Sequence, residues 1–336
     1  MTDNILEIQE LISLTEKHQE KFVIIFINGD KKYTEANSGY LEKKEAEEII
    51  KSFEMTSECF YFYNNPSTFV GDIVLNKFLH YKNKFIFLYS AAQIGVDVNR
   101  RSFIPNFAQL HNIFNLTCDS YSLSLLQNKA HYYELAKNYV NVPKTFLFNG
   151  KDHSVFEQLT NRRYILKPNI ECSARGVKDI IYSNGSKSTV IDLYLEFVQP
   201  ILIQEFKAGI EVEVPVIVKN GKALALHPIR INKKHEILSQ EEVDYEKYSF
   251  EILSNEYNIQ NIQRSAEKVI TTLQSQGLCR VDFIIDEFGE PWLFDIAAIP
   301  LITEHSSCYT SFAHSFPNNK HALYKALIGA KLIQLI

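Results

Sequence analysis

The sequence predicts an α/β fold that passes into α+β segments. Short apolar runs separated by helical stretches fill the first third of the chain, the pattern of a largely parallel sheet covered by helices. Farther on, strands predominate, among them an alternating strand and a hairpin, the pattern of antiparallel pairing. With 46% hydrophobic residues over 336 positions, the chain can bury the cores of two or three ordinary domains.

Residues 1–19 have the amphipathic spacing of a helix. Residues 21–28 (KFVIIFIN) form a continuous apolar strand, buried on both faces, that ends in Gly29-Asp30. Residues 40–53 carry helical charge spacing, and residues 59–63 and 84–89 are again strand-like. The loops Asn28-Gly29-Asp30 and Ser90-Ala91-Ala92 then lie at the usual ligand edge of a parallel sheet, although a plain turn explains each alone. Residues 120–148 read as helix, turn and strand, with Lys129 in the helix, where a solvated surface lysine is the simplest account, and Pro143 at the exit. In the strand 164–168 (YILKP), Lys167 follows three apolar residues and must reach an anion or snorkel. The small-residue loop after it, with Ser173 and Gly176, can cradle phosphate through backbone N–H groups, but it is not a Walker A sequence. A strand over 201–206 leads to an alternating strand, 211–216, with Glu211 and Glu213 on one face and valines on the other. Another strand spans 222–229, and the polar stretch 232–250 predicts a flexible lid loop. Helices are expected over 259–274 and 321–336.

Composition narrows the partners. The net charge is −5 without a Lys/Arg run, which argues against nucleic acid. The acidic amphipathic N-terminus does not read as a signal peptide, and no apolar run approaches the roughly 18–20 residues of a membrane span. Five scattered cysteines without a CxxC suit a reducing cytoplasm and argue against a disulfide framework and a structural zinc site.

Residues 277–307 (GLCRVDFIIDEFGEPWLFDIAAIPLITEHSS) carry the most chemistry. Asp286-Glu287-Phe288-Gly289 supplies a turn, and Pro291 opens a return strand at an edge or first position. A hairpin turning on Phe288-Gly289 places Asp282 opposite Asp295 and Arg280 opposite Ala297. Directly opposed carboxylates repel, so one reading puts a cation such as Mg2+ between them; the other is a solvated face with incidental acids.

Four segments in one order resemble the ATP-grasp superfamily and, within it, the D-alanine–D-alanine ligases. They are Lys167-Pro168 through Ser173, Gly176 and Val177; Ile203-Gln204-Glu205-Phe206 with Gly209-Ile210-Glu211; the lid sequence Asp244-Tyr245-Glu246-Lys247-Tyr248; and Arg280-Val281-Asp282-Phe283 with Asp295, Pro300, Thr303, His305 and Ser306. The resemblance runs from about Lys21 to the end. It implies a three-domain ATP-grasp architecture with ATP held between two α+β domains, divided at 1–116, 117–204 and 205–336. It also implies an ATP- and Mg2+-dependent carboxylate–amine ligase of small amino acids, with an acyl-phosphate intermediate and, by family habit, a homodimer.

By the same resemblance, Lys129 and Lys167 would bind phosphates. Adenine would meet the Gln204 side chain and the backbone of Glu205 and Lys207, and the ribose would meet Glu211. Ser173 and Tyr248 would join phosphate loop to lid, with Lys247 on the γ-phosphate. Asp282 and Asp295 would hold Mg2+, and Arg280 would stabilise the oxyanion. Glu35 would take the first substrate's amino group, and Ser306 and Ser307 the second substrate's carboxylate. The sequence departs from the family at Asp295 (for Glu), Ala297 (for a metal-binding Asn), Leu301 (for Gly) and a shortened N-terminal loop. These changes imply an altered substrate, or a nucleotide-binding sensor or partner protein without ligase turnover. A plain α/β protein with structural acids and lysines is the third reading.

Overall fold

The computed structural model describes residues 3–29, 41–183 and 185–336. Strands β1 (Phe22–Ile27), β2 (Phe60–Tyr63), β3 (Phe85–Ser90) and β4 (Ile113–Asn115) form a parallel sheet in the order β2-β1-β3-β4. Every residue of β1 is buried. Period two decides what each meets: Ile24 and Phe26 enter one core, Ile25 and Ile27 the other. Helices α1 (Asp3–Lys17) and α2 (Lys43–Glu54) stand where the spacing predicts them. Two more, α3 (Pro66–Val74) and α4 (Phe103–Gln109), lie beyond that expectation. The start of α3 is set by Asn65, whose side chain accepts from the Ser67 N–H (2.7 Å), and by Pro66 in its first turn.

After α5 (Ser120–Gln127) and α6 (Lys129–Ala136) comes an antiparallel sheet of β5 (Thr145–Phe148), β6 (Arg163–Pro168), β7 (Lys178–Ile181) and β8 (Ile201–Glu205), in the order β5-β8-β6-β7. Helix α7 (Ser186–Phe197) packs on it. The third sheet contains β9 (Ile210–Lys219), β10 (Lys222–Ala225), β11 (Ile229–Asn232), β12 (Ser249–Ile252), β13 (Leu278–Ile285) and β14 (Pro291–Ala297), in the order β12-β11-β9-β13-β14 with β10 also paired to β9. Its helices are α8 (Gln240–Asp244), α9 (Ile259–Thr272), α10 (Ser307–Ser315) and α11 (Ala322–Leu332). The chain closes on itself where α11 packs against α1 and the first sheet.

Two expectations change. The stretch 232–250 is not an unbroken loop, because Ser239 and Glu242 form a capping box that starts α8, and β12 then pairs with β11. In the hairpin, Arg280–Ala297 and Asp282–Asp295 pair as predicted, but Phe283 faces Leu293. Asp286 and Glu290 close a three-residue turn, 287–289, one residue wider than a turn on Phe288-Gly289, and a bulge at Phe294 restores the register at the site.

Candidate active site

Lys167 stands on β6 with its side chain turned toward β14. It is 3% exposed, and its ammonium donates to Gln204 Oε1 (2.9 Å), the Phe294 carbonyl (3.2 Å) and the Tyr133 hydroxyl (3.4 Å). It also sits 3.9 Å from the centre of the Phe294 ring. Burial pushes this amine down to about 8, only partly offset by Asp295. Lys129, the first residue of α6, donates to the Glu171 carbonyl (2.7 Å) and lies 3.5 Å from Asp295 Oδ1. Both lysines are therefore buried side by side where the second and third sheets meet. The loop between β6 and β7 holds Ser173 and Ala174 in left-handed conformations (φ 54° and 55°), with Gly176 at φ 71°. Two successive non-glycine residues in this conformation cost strain, and such strain clusters at ligand clamps and active sites.

The facing acids find cations in the protein itself. Asp282 takes both of its hydrogen bonds from Arg280, Nε to Oδ1 at 2.8 Å and Nη2 to Oδ2 at 2.7 Å. Asp295 Oδ1 accepts from the Tyr132 hydroxyl (2.5 Å) and the Ile296 N–H (2.9 Å), beside Lys129. Opposed carboxylates thus do not by themselves require a metal. Their environments differ: burial raises Asp282 to about 6 against the pull of Arg280. For Asp295, burial acts upward too, but Lys129 and Lys167 outweigh it and hold it below the usual carboxylate range. Among the described residues, no group of three or more His, Cys, Asp or Glu side chains could hold a metal ion. Two carboxylates across a hairpin, with Ala297 offering no third donor, still fit Mg2+, which binds through one or two carboxylates plus phosphate and water oxygens.

Glu213 is the residue that sequence reasoning passed over as a site. On β9 it faces Asp282 of β13, and its Oε1 lies 3.1 Å from Arg280 Nη2. Burial pushes this carboxyl up to about 8 despite Arg280. The available signal was its alternation with the buried valines, which shares a face with Glu211.

Other expected positions diverge. The Gln204 side chain is engaged at both ends, by Lys167 and by Thr145 Oγ1 (3.1 Å), and so braces the lysine instead of standing open to a base. The strand ends at Glu205, whose N–H goes to the Lys144 carbonyl (2.8 Å) and whose carboxylate meets Arg162 at 3.4 Å. Lys207 lies 3.5 Å from the centre of the Trp292 ring. Glu211 is buried and ion-paired to Lys233. Lys247 pairs with Glu241 (2.6 Å) and does not reach the lysine cluster. Tyr248 packs on Phe250 and His305 and makes no hydrogen bond to Ser173 among the described residues. Ser306 caps α10, accepting from the Tyr309 N–H (3.1 Å) and donating to the Thr303 carbonyl (2.7 Å). Ser307 is fully buried. Glu35 lies outside the described residues.

Two antiparallel sheets thus close on paired lysines and facing carboxylates. A family model described as the D-ala D-ala ligase C-terminus matches residues 138–328. The D-alanine–D-alanine ligase of Petrotoga mobilis is 28% identical over 251 residues, covering 72% of this chain and 78% of that protein. The vancomycin/teicoplanin A-type resistance protein VanA of Enterococcus faecium is 28% identical over 214 residues, covering 60% and 61%. The fold matches that of a D-alanine–D-alanine ligase from Bacillus anthracis complexed with ATP, with TM-score 0.69 and 15% identity over 93% of this chain and 99% of that one. It also matches the VanG D-Ala:D-Ser ligase of Enterococcus faecalis, with TM-score 0.67 and 19% identity over 92% and 99%. The chain belongs to the D-alanine–D-alanine ligase family of ATP-dependent amide-bond ligases.

Proposed function

We propose that this protein activates a small carboxylate, such as an amino acid, with ATP and joins it to an amine through an acyl phosphate. One observation carries the reading: two buried lysines face two carboxylates and an arginine where the sheets meet. A buried ammonium with a depressed pKa calls for an anion, and a phosphate chain supplies one. Lys129 and Lys167 would grip that chain, the Ser173 loop would cradle it through backbone N–H groups, and Lys207 and Glu211 would flank the nucleoside. Among the described residues the Arg280 contacts run through Nε and Nη2, so Nη1 can meet the oxyanion of the tetrahedral intermediate, a donor typically worth roughly 3–4 kcal/mol. Asp282 and Asp295 would hold Mg2+, which when bound neutralises phosphate charge. The segment with α8, Lys247 and Tyr248 would close over the acyl phosphate and keep water out. The cysteine usage supports a cytoplasmic protein, and no helix of the described residues is long and apolar enough to cross a membrane. The division at 1–116, 117–204 and 205–336 and the homodimer are part of the same proposal.

The test is phosphate release from Mg-ATP with pooled D- and L-amino acids, simple amines and hydroxylamine, with products read by mass spectrometry. Donor-dependent release that Asp282→Asn and Lys167→Ala abolish is the expected result. Equal release by wild type and both variants would sink the reading.

A further inference from the structure

Four buried polar atoms without a hydrogen-bond partner among the described residues lie on the elements around Arg280: Glu213 Oε2, Thr303 Oγ1, His305 Nε2 and Ser307 Oγ. Buried polar groups are nearly always paired, so orphans grouped in this way mark a place where another molecule binds. Glu213 is 7% exposed, on β9, and α10 packs against both β9 and β12. The Ser307 hydroxyl stands beside the Glu213 carboxyl, though neither Ser307 Oγ nor Glu213 Oε2 completes a hydrogen bond of ordinary geometry.

This corner has little left to offer an incoming carboxylate. The Ser306 hydroxyl is engaged at both its donor and acceptor sides in capping α10. Ser307 is 0% exposed. Arg280 gives Nε and Nη2 to Asp282, and Nη2 also lies 3.1 Å from Glu213 Oε1 as an ion pair. Its remaining Nη1 is the nitrogen needed at the oxyanion. A further carboxylate would meet two carboxyl groups already grouped on one guanidinium. What Glu213 Oε2 lacks is a hydrogen-bond donor, and an amine brings one.

We infer that Glu213 fills the place an acceptor's carboxylate would take, so that the acceptor is a primary amine with no carboxylate on its amine-bearing carbon, donating its N–H to Glu213 Oε2. This rests on the ligase reading above and narrows its second substrate. The amine nitrogen forms the C–N bond to the acyl carbon and the C–O bond to phosphate breaks. Phosphate leaves with the electron pair, and the nitrogen releases one proton to solvent.

Ethylamine and alanine differ by the carboxylate alone, which makes them the probes. With a donor first identified through its hydroxamate in the presence of hydroxylamine, the wild type should use ethylamine with a kcat/KM at least tenfold above that for D- or L-alanine. Glu213→Ser should raise the alanine values at least tenfold and lower that for ethylamine. The isosteric Glu213→Gln, which keeps the space filled, should still reject alanine. Alanine used as well as ethylamine by the wild type overturns the inference while leaving the ligase reading intact, and this outcome needs no variant to fold. No hydroxamate with any donor overturns the ligase reading and this inference with it.

Discussion

Lys167→Met tests the phosphate site, because it changes nucleotide binding and stability by different amounts. The fall of the Lys167 amine from its ordinary 10.5 to about 8 corresponds to roughly 3 kcal/mol by which burial disfavours the charged form. Met removes that penalty. It also takes the lysine donor from Gln204 Oε1, at about 1–3 kcal/mol, while the Phe294 carbonyl keeps the Tyr133 hydroxyl as a donor. The opposing effects nearly cancel, so unfolding free energy should stay within about 2 kcal/mol of wild type. ATP binding has no such compensation. Loss of one charge-assisted hydrogen bond, at about 1.5–3 kcal/mol, weakens it roughly ten- to hundredfold. The pH dependence has a fixed sign. Below about 8 the folded and unfolded chains both hold the proton and the penalty is full; above 10.5 neither does. In between, the unfolded chain binds more protons, so stability rises with pH. Phosphate favours the ammonium, so binding near the midpoint draws in a proton: about 0.1 at pH 7 and about 0.75 at pH 8.5. Calorimetric titration in two buffers of different ionisation enthalpy reads that uptake, and Lys167→Met should abolish the excess. A Met variant that binds Mg-ATP within threefold of wild type, or a wild type without buffer dependence at pH 8.5, would refute the assignment.

Two further outcomes follow from other parts of the structure. Gly329 lies where α11 crosses α1, and an added Cβ would overlap the Leu11 carbonyl; Gly329→Ala should therefore destabilise the fold by about 1–3 kcal/mol in chemical denaturation, and an unchanged midpoint would contradict the packing. Ala297→Asn adds a ligand atom opposite Arg280 and should lower the Mg2+ concentration for half-maximal phosphate release severalfold; no change would mean that this position does not face the ion.

The sequence carried much of the fold because its strongest signals are local. The apolar run in β1 could only be a strand buried on both faces, and so it is. The hairpin was legible, but its turn is one residue wider than read, and Asp282 meets Asp295 as expected only because the bulge at Phe294, which was not legible, offsets that difference. What escaped depends on neighbours distant in sequence. Lys129 read alone was a surface lysine; in the fold it is buried against Glu171 and Asp295. Gln204 was expected at a base, and its bond to Lys167 appears only once β8 lies beside β6. Ser306 was expected at a substrate carboxylate, but the helix that it caps was not foreseen, so its hydroxyl could not be seen as engaged. Glu213 was visible only as one tooth of an alternating strand, because periodicity gives a residue's face and not what that face meets.

The two sides of the proposed site are tied to the fold to different degrees. Lys167 and Gln204 lie diagonally across neighbouring strands of one sheet, and Asp282 is flanked by β9 on one side and β14 on the other. Moving any of them disturbs a register that also positions core residues such as Leu166, Val281 and Phe283. The nucleotide side of the site is therefore tied to the fold. The proposed acceptor side is built differently: from a helix cap, a loop carrying Thr303 and His305, and the buried tip of the Glu213 side chain on β9. Glu213 can be exchanged there without shifting β9, since its backbone pairing with Asp282 and Ile229 does not depend on the side chain. A change of acceptor therefore needs only a few side chains, whereas a change of nucleotide chemistry would need a new sheet register.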